Sequence, residues 1–354
     1  MLKKVLKIIG ITLLVIILAV LIFLGILTVV EFRPKAVERV DIMGNANSYI
    51  STDDEVSVLT WNIGYGGLSE DADFFMDGGN EVRAVDEEGV INNVNNILAK
   101  VEEVNADVIF LQEIDRDSTR SFRINQVQFF EDNLPDYQSS FANNFKALVP
   151  YPVPPIGLVD SGVAIFSKLK VQDAKRIALP CPFSWPIRIA NLKRCLLVER
   201  TPIEGSDKEL VFVNLHLEAY DDGEGKIAQT KQLIELLDSE IAKGNYVIAG
   251  GDLNQTFSSI DLSSYPYLDG DIWHPGIIEV DDFNENYNLA MDNSNPTCRS
   301  LDKPLKGADI NNFQFYVIDG FVVSSNIDII DINTIDAGFE NSDHNPVLLK
   351  AKLN

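Results

Sequence analysis

The sequence predicts a mixed α/β domain of about 300 residues, preceded by one apolar amino-terminal helix. Three observations favour this class: many short runs of β-branched and aromatic residues, a few interspersed segments with helical periodicity, and no internal repeat. Of the 354 residues, 46% are apolar and 23% are charged, as is typical of globular proteins. This composition excludes a largely disordered chain.

The amino-terminal segment 8–30 reads IIGITLLVIILAVLIFLGILTVV and contains no charge. As a helix it would be about 35 Å long, enough to cross a hydrocarbon core of about 30 Å. A removed signal peptide is the alternative, but such a peptide has a shorter apolar region and a small-residue cleavage site. We therefore predict a short cytoplasmic terminus at residues 1–7 and an uncleaved transmembrane anchor at residues 8–30.

The orientation of this anchor is predicted from the charges beside it. Three lysines precede the apolar segment, and Arg33, Lys35 and Arg39 follow it, so the positive-inside comparison is nearly balanced. We predict a single-pass membrane protein with an extracytoplasmic catalytic domain. Residues 31–54, with Pro34 and a polar run at 44–48, are predicted as a stalk or linker.

Residues 55–354 are predicted as one domain, because no composition change divides them. The strand candidates are Val56–Thr60, Asp107–Leu111, Gly162–Phe166, Cys195–Glu199, Leu210–Leu215, Tyr246–Ala249, Tyr316–Val323 and Pro346–Leu349. Apolar residues at helical spacing between Val90 and Val104 predict an amphipathic helix. A second helical face is predicted from Ile227, Ile234, Leu237 and Ile241.

The net charge and the cysteines limit the function classes. There are 53 acidic and 29 basic residues, giving a formal charge of −24. Such a surface repels polyphosphate, which disfavours tight non-specific binding of nucleic acid unless cations bridge the contact. The three cysteines, Cys181, Cys195 and Cys298, lack metal-type spacing and allow at most one disulfide. We interpret them as small buried apolar residues, with their disulfide status open.

Several strand candidates end in polar side chains that suit metal and phosphate chemistry. These residues are Asn62, Glu113, His216, Asp252, Asn254, Asp319, Asp343 and His344. Strand ends in a packed sheet meet at one rim, where a site can be assembled from distant parts of the chain. Carboxylates and amides suit a hard cation such as Mg²⁺ or Mn²⁺. Taken singly, Asp and Asn after a strand are also common turn residues.

The stretches around these residues resemble the endonuclease/exonuclease/phosphatase superfamily. The resemblance is carried by LTWNIG, LQEID, NLHLEA, GGDLN, VIDG and SDHNPV, in that order, from about Val56 to the carboxyl end. One such motif would be weak, but six in order are specific. The resemblance implies a four-layered α/β sandwich in which two central mixed β-sheets are flanked by helices. It also implies a metal-dependent phosphoester hydrolase that uses Mg²⁺ or Mn²⁺.

The resemblance also implies a role for each site residue. Glu113 would be the principal metal ligand, assisted by Asn62 and Asp343. Asp252 would align or deprotonate the attacking water, and Asn254 would hold that water and the phosphate. His216 and His344 would contact non-bridging oxygens, and Asp319 would orient His344. Asn62, Asn254 and His216 would thus also bind substrate.

The substrate and some residue roles stay open at the level of sequence. We predict a phosphodiester hydrolase, with a nuclease as one form of it. The alternatives are a phospholipid or sphingomyelin-type phosphodiesterase at the membrane and an inactive binding module. The partner is then nucleic acid or a phospholipid headgroup, and no protein partner is inferred. Arg120 and Arg123 either bind a second phosphate or lie on the surface, and the loops at 65–79 and 150–155 are candidates to line the cleft.

Overall fold

The computed structural model describes residues 2–221, 223–269 and 272–354. Its α-helices are α1 (Leu2–Val29), α2 (Glu87–Val104), α3 (Gln126–Asn133) and α4 (Glu224–Ile241). Asp86 caps α2 by accepting a hydrogen bond from the Gly89 N–H, and Asn125 caps α3 by accepting one from the Gln128 N–H. The predicted amphipathic helix is α2, and its apolar side is buried.

The strands follow the apolar runs of the sequence closely. They are β1 (Val37–Arg39), β2 (Ile42–Met43), β3 (Ile50–Ser51), β4 (Glu55–Asn62), β5 (Val108–Asp115), β6 (Gln138–Val149), β7 (Gly157–Ser167), β8 (Asp173–Ala178), β9 (Cys195–Glu204), β10 (Glu209–His216), β11 (Tyr246–Asp252), β12 (Gln255–Phe257), β13 (Gly276–Ile278), β14 (Tyr287–Ala290), β15 (Cys298–Arg299), β16 (Phe315–Tyr316), β17 (Asp319–Ser324), β18 (Ile327–Thr334) and β19 (Val347–Leu353). The predicted strand at 316–323 is interrupted at residues 317–318, between β16 and β17. Each of the other candidates overlaps a strand, and most of the observed strands extend further than predicted at one end, by as many as five residues in β7 and β9.

Two large sheets form the centre of the molecule. The first sheet has the order β1-β8-β9-β10-β11-β17-β14, with β3 paired to β9. The second sheet has the order β18-β19-β4-β5-β7-β6-β2. Both are mixed, since β10–β11 and β4–β5 are parallel and most other pairs are antiparallel. The mixed sheets agree with the predicted fold class.

The apolar core lies in three slabs that separate four layers. Between the sheets, Phe110 and Phe212 meet edge to face at 6.2 Å within one buried cluster. A second cluster joins the outer face of the second sheet to α2 and α3, and a third joins the first sheet to α4. Each sheet therefore buries both faces, as a sandwich flanked by helices requires. The predicted four-layered architecture is confirmed.

Helix α4 departs from the predicted apolar face at its first turns. Leu237 is fully buried, but Ile227 is 70% exposed, so its predicted place on the buried face is wrong. Gln229 and Thr230 are buried instead, because polar groups face this end of the helix. The Gln229 side chain donates to the Pro180 carbonyl, and Thr230 accepts a hydrogen bond from Gln255. Local hydrogen bonding thus overrides the simple periodicity here.

Residues 31–54 lie against the domain, whereas the sequence predicts a stalk. Strand β1 pairs with β8, β3 pairs with β9, and β2 pairs with β6 of the other sheet. These short strands cover edges that would otherwise present unpaired backbone groups. The segment therefore fixes where α1 joins the domain. The sequence predicts a stalk instead because the pairing of an edge strand depends on a distant partner, which local composition does not reveal.

Helix α1 is the one helix in the described part of the chain that is long and apolar enough to cross a membrane. Its side chains are exposed along nearly the whole length, and Leu27 near its end is the buried exception. A signal sequence near an amino terminus can meet the same test of length and composition. The exposed apolar surface of α1 is therefore that of a membrane-spanning helix or of a signal sequence.

Candidate active site

Strand register brings the polar strand ends to one edge of the sandwich. In the first sheet, His216 of β10 lies opposite Asp252 of β11, and Asp252 lies opposite Asp319 of β17. In the second sheet, Asn62 of β4 lies opposite Gln112, the neighbour of Glu113. Backbone pairing between the strands therefore positions these side chains at one edge, independently of the contacts that the side chains make with one another.

Two site residues have left-handed backbone conformations that aim their side chains. Glu113 has φ of 51° and lies at a bulge in the β5–β7 pairing, between Gln112 and Ile114. Asn254, just after β11, has φ of 50°. Such conformations are uncommon for residues other than glycine and often mark functional sites. The bulge leaves the Glu113 side chain 25% exposed, in contrast to the buried residues around it.

Asp252 is the centre of the polar cluster. Its carboxylate accepts hydrogen bonds from Asn62 Nδ2 at 3.0 Å and from the backbone N–H of Asn254 at 2.9 Å. Its Oδ2 lies 3.3 Å from His216 Nε2 and 3.8 Å from His344 Nε2. Burial raises the pKa of Asp252 to about 7, although the positive charge of His344 opposes that rise. The carboxyl group is therefore poised to exchange a proton near neutral pH.

His344 is held by a carboxylate on its other ring nitrogen. Its Nδ1 lies 2.8 Å from Asp319 Oδ2, and Trp61 Nε1 donates to its backbone carbonyl at 2.8 Å. Burial disfavours the charged ring, but the negative charge of Asp319, the hydrogen bond to it and the negative charge of Asp343 act together to raise the pKa of His344 well above its ordinary value. His344 is therefore an imidazolium whose Nε2 faces Asp252 and the cleft.

His216 has the opposite electrostatic character. Burial lowers its pKa well below the ordinary value, and the positive charges of Arg194 and His344 add to the effect. Its Nδ1 has no hydrogen-bond partner among the described residues. Arg194 donates to the His216 carbonyl at 3.0 Å and pairs with Glu218 at 3.3 Å, with both side chains buried. His216 is therefore a neutral imidazole.

Glu113, Asp343 and Asn62 form an oxygen-rich corner beside these histidines. Asn62 Nδ2 lies 3.5 Å from Glu113 Oε1, while Asn62 Oδ1 accepts the Gly64 N–H at 3.1 Å. Burial raises the pKa of Asp343, and the positive charge of His344 opposes the rise while the negative charge of Glu113 adds to it. Carboxylate oxygens are the ligands that a hard divalent cation prefers. In the observed rotamer, Asn62 orients the carboxylates through its amide nitrogen, and its oxygen is already engaged.

A cysteine thiol lies at the same corner. Cys298, Asp343 and His344 have side-chain atoms within 4.8 Å of one another. Burial raises the pKa of the Cys298 thiol to about 12. Among the described residues, all three cysteines are free thiols. The site therefore offers carboxylate, imidazole and thiol groups that could hold a metal ion.

Arg120 belongs to the site, and Arg123 does not. Arg120 is buried, pairs with Asp115 at 3.0 Å and Glu113 at 3.4 Å, and lies 3.8 Å over the Tyr65 ring. Arg123 is exposed and pairs with Asp117 at 2.9 Å. Because carboxylates and an aromatic ring already hold Arg120, it braces Glu113. The surface interpretation therefore applies to Arg123 alone.

Loops with many apolar side chains wall the cleft above this floor. The loop at residues 65–79 contributes Tyr65, Leu68, Phe74, Met76 and Asp77. Tyr151 of the proline-rich run also lines the cleft, so both candidate loops reach it. The other large apolar lining residues include Val82, Phe145, Val149, Ile156, Phe183, Leu192, Trp273 and Tyr316. His274 lies outside this lining and packs on Tyr267 at 4.5 Å.

Several site residues escaped the sequence analysis. Arg194, Glu218, Tyr220 and Asp77 line the cleft but do not stand in the recognised motifs, apart from Glu218 in NLHLEA. The Tyr220 hydroxyl contacts both carboxylate oxygens of Asp77, at 3.2 and 3.3 Å. Burial raises the pKa of Asp77 to about 7. Two of these four residues had a signal in the sequence: Glu218 stands two residues after His216, and Asp77 lies in the candidate loop at 65–79.

The family comparison agrees with this arrangement. The family model described as the endonuclease/exonuclease/phosphatase family matches residues 59–307, which is more than half of the chain. The chain belongs to the endonuclease/exonuclease/phosphatase family. Members of this family are generally phosphoesterases, and divalent metals are typical of their chemistry. None of the curated proteins compared with the chain matches it.

Solved structures of the same fold resemble this family member at low sequence identity. An endonuclease/exonuclease/phosphatase from Beutenbergia cavernae has a TM-score of 0.57 at 17% identity, with 85% of this chain and 72% of that chain covered. The human Nocturnin catalytic domain with bound sulfate has a TM-score of 0.53 at 15% identity, covering 89% and 97%. D. rerio TDP2 complexed with a single-strand DNA product has a TM-score of 0.53 at 14% identity, covering 85% and 100%. At these identities the likeness establishes the fold alone.

Proposed function

We propose that this family member is a divalent-metal-dependent phosphodiester hydrolase that uses water as its nucleophile. The observation that carries the proposal is the cluster around Asp252, where a charged histidine and a neutral histidine lie within 3.8 Å of one carboxylate. Hydrolysis of a diester requires stabilisation of phosphate charge, an aligned water and a proton acceptor. The cluster offers a candidate group for each need.

Asp252 is the proposed general base. With its pKa raised to about 7 by burial, it can accept a proton from water near neutral pH. Asn254 helps to align that water, since its backbone N–H fixes Asp252 at 2.9 Å. Asn62 holds the other carboxylate oxygen at 3.0 Å, which limits the rotation of the base. The base is therefore preorganised by amides on two separate strand ends.

The two histidines have different proposed tasks. His344, kept charged by Asp319, contacts a non-bridging phosphate oxygen and stabilises the charge that develops in the transition state. His216, kept neutral, donates a hydrogen bond to the phosphate from Nε2 once substrate is bound. The partner of His344 fixes both its tautomer and its ring angle. This division avoids two adjacent positive charges.

Glu113 and Asp343 would hold the metal, with Asn62 adjusting its amide to contribute oxygen. When bound, a divalent cation polarises the phosphoryl group and stabilises the leaving oxygen. Arg120 keeps Glu113 in place through its contact at 3.4 Å. These oxygen donors come from two strand ends and the segment before β19, so metal binding depends on the folded domain.

The charge of the cleft favours a diester with a single phosphate charge. Among the described lining residues, Arg120 and Arg194 pair with carboxylates, and Arg299 donates to backbone carbonyls of residues 69, 72 and 300. Asp77, Glu113 and Asp343 face the same space. A polyanion would meet these carboxylates without a free cation on the described walls. Nucleic acid remains the second candidate, supported by the fold neighbour that holds a DNA product.

A substrate panel tests the proposal. The purified full-length chain in detergent is given a chromogenic phosphodiester, DNA, RNA, sphingomyelin and phosphoinositides, each with Mg²⁺, Mn²⁺, Ca²⁺ or a chelator. We expect Mg²⁺- or Mn²⁺-dependent cleavage of at least one diester and full inhibition by the chelator. A Glu113→Gln variant should bind the metal at least about tenfold more weakly by calorimetry. Chelator-resistant cleavage would exclude the metal mechanism.

We also propose that residues 8–30 are an uncleaved anchor and that the catalytic domain, residues 55–354, lies outside the cytoplasm. Support comes from α1, whose exposed apolar surface needs a bilayer, and from Leu27, which packs on the domain. Protease added to intact cells should degrade the domain if this orientation is correct. Protection in intact cells with loss after lysis would reverse the orientation, and a shortened mature chain would show that a signal was removed.

A further inference from the structure

The carboxyl end of α1 is fixed to the segment that contains residues 181–193, here called the anchor loop. Trp185 Nε1 donates to Thr28 Oγ1 at 3.1 Å, and Leu27 is only 4% exposed. These contacts come from the last turn of α1, where an inserted helix leaves the hydrocarbon core. The anchor loop therefore lies at the membrane surface whenever α1 is inserted.

A buried carboxylate strengthens this junction. The Glu31 side chain is 2% exposed and lies 3.1 Å from Arg33 Nε, 3.3 Å from Arg188 Nε and 3.5 Å from Lys193 Nζ. One carboxylate thus gathers three cations and leaves a local excess of positive charge. Cations just outside a membrane helix are attracted to anionic headgroups. The junction is suited to a headgroup region.

The anchor loop is also part of the cleft wall. Phe183 and Leu192 line the cleft, and Ala190 packs in one buried cluster with Val149 and Ile156. The Lys193 N–H donates to the Asn144 carbonyl at 2.7 Å, which ties the loop to strand β6. The same loop therefore contacts the anchor on one side and the cleft on the other.

Exposed apolar side chains surround this side of the cleft mouth. Trp185 and Ile187 of the anchor loop are 51% and 59% exposed. Tyr151 and Val153, in the loop after β6, are 45% and 95% exposed. Single exposed apolar residues are ordinary, but four on two adjoining loops, one of which contacts the apolar helix α1, are not. Trp and Tyr are also the residues enriched at membrane interfaces.

From these observations we infer that the anchor loop and residues 150–156 form a membrane-docking surface that seats the cleft mouth on the bilayer holding α1. The substrate would then be a phosphodiester of a membrane lipid, which enters the cleft from the bilayer surface along apolar walls. This inference rests on the proposed hydrolase function. The engaged arginines and the facing carboxylates favour a zwitterionic over a polyanionic headgroup.

Fluorescence quenching tests the docking surface without reference to catalysis. The full-length chain is reconstituted in phosphatidylcholine vesicles that contain a minority of phosphatidylglycerol, with brominated acyl chains. Trp61 is 1% exposed and therefore shielded by protein, whereas Trp273 lies in the cleft lining, so the signal of Trp185 is isolated as the quenching that Trp185→Phe removes. We expect strong quenching that is mostly lost in Trp185→Phe. Equal emission with brominated and ordinary lipid would overturn the docking surface. Dimerisation through the anchor loop and residues 150–156 would show instead that a second copy of the chain covers this surface.

Kinetics test the substrate class on the same chain. Val153→Glu with Ile187→Glu should lower hydrolysis of phosphatidylcholine or sphingomyelin in vesicles at least about tenfold, because charged groups resist the interface. Hydrolysis of a soluble chromogenic diester should stay within about twofold, since neither side chain lines the cleft. The matched control is Ile330→Glu, 50% exposed on β18 at the opposite edge of the second sheet from β2 and β6. It should change neither rate.

The outcomes separate the inference from the proposed function. Metal-dependent cleavage of the soluble diester without cleavage of either vesicle lipid would overturn the lipid inference and leave the hydrolase function standing. Equal losses on both substrates in the double variant would show that the loops serve the cleft itself, and would also overturn docking. Failure to cleave any diester with any metal would remove the proposed function and the lipid inference with it.

Discussion

The floor and the walls of the cleft are built by different means. On the floor, Asp252, Asp319 and His216 are fixed by hydrogen-bonded strand register, and each is nearly fully buried. On the walls, residues such as Phe74 and Phe183 come from loops and are partly exposed. Strand register tolerates little displacement, whereas loops accept substitution and change of length. Under the proposed function, this contrast places bond cleavage on the sheets and substrate choice on the loops.

The two histidines sharpen this contrast, because identical side chains on one floor carry different charges. Asp319 lies 2.8 Å from His344 and keeps it charged. Burial lowers the pKa of His216, and the positive charges of Arg194 and His344 add to the effect, so His216 stays neutral. The difference comes from burial and from neighbours in distant parts of the chain. Local sequence around each histidine does not reveal it.

The largest effect is expected from substituting residues on the floor of the cleft. Asp252→Ala or His344→Ala should lower kcat by about a thousandfold or more, because each removes a preorganised group at the reacting centre. The change is measured by steady-state kinetics on a soluble diester, with thermal unfolding to show that the fold persists. Asp77→Asn, an acid of the wall, is the control and should cost less than about tenfold. Near-normal activity in either floor variant would remove the mechanism.

The second-largest effect is expected from removing the negative charge of Asp319, which lies beside one of the two histidines. Asp319→Asn should lower kcat by roughly 10- to 100-fold, as loss of a carboxylate behind a catalytic imidazole often does. The Asp319 carboxylate raises the pKa of His344, so the amide should let that pKa fall. As pH rises, activity that needs the His344 imidazolium would then be lost at a lower pH in the variant than in the wild type. The pH–rate profile is the measurement, and an equal loss at every pH would contradict the assigned role.

Wall variants should act on binding more than on bond cleavage. Phe74→Ala or Phe183→Ala should raise KM for a diester with an apolar alcohol by about tenfold, because each removes buried apolar contact with the substrate. The value of kcat should change little. Tyr49→Ala, an exposed aromatic outside the cleft lining, is the control. A fall in kcat at constant KM would show that the walls take part in the chemistry.

The smallest effect on activity is expected from substituting Glu199, a carboxylic acid buried between the two sheets. Burial raises the pKa of Glu199 to about 8, although the hydrogen bond from Ser140 at 2.6 Å partly opposes the rise. A raised carboxyl pKa means that folding holds a proton that the unfolded chain releases. Its contribution to stability is complete below pH 4.5 and is lost as pH rises towards about 8.

The decline should approach about 1.4 kcal/mol per pH unit at most within this window. The Glu199→Gln substitution should flatten this decline of stability with pH. The variant should unfold at a higher temperature than the wild type at pH 8, with kcat unchanged. Thermal unfolding of the full chain between pH 5 and pH 8 is the measurement. An identical pH dependence in the wild type and the variant would show that Glu199 is ionised in the folded protein.

Much of the fold and the candidate floor could be predicted from the sequence, since both depend on local patterns. Alternating and continuous apolar runs located the strands, and polar residues at their ends identified Asn62, Glu113, His216, Asp252 and Asp319. The failures involve distant partners. Ile227 is exposed because the start of α4 faces polar groups, and residues 31–54 pair with strands more than 80 residues away.

The sequence by itself determined a mixed α/β domain, the apolar helix at the amino terminus and the order of the motifs, because periodicity and strand-end chemistry are written in neighbouring residues. The four-layered sandwich was implied by the family resemblance that those motifs carry. Only the tertiary structure decided which histidine is charged, how Arg120 braces Glu113, and how the end of α1 meets the cleft wall through Trp185. These features depend on burial and on charges brought together across the whole chain. Their energies exist only once the sheets have packed.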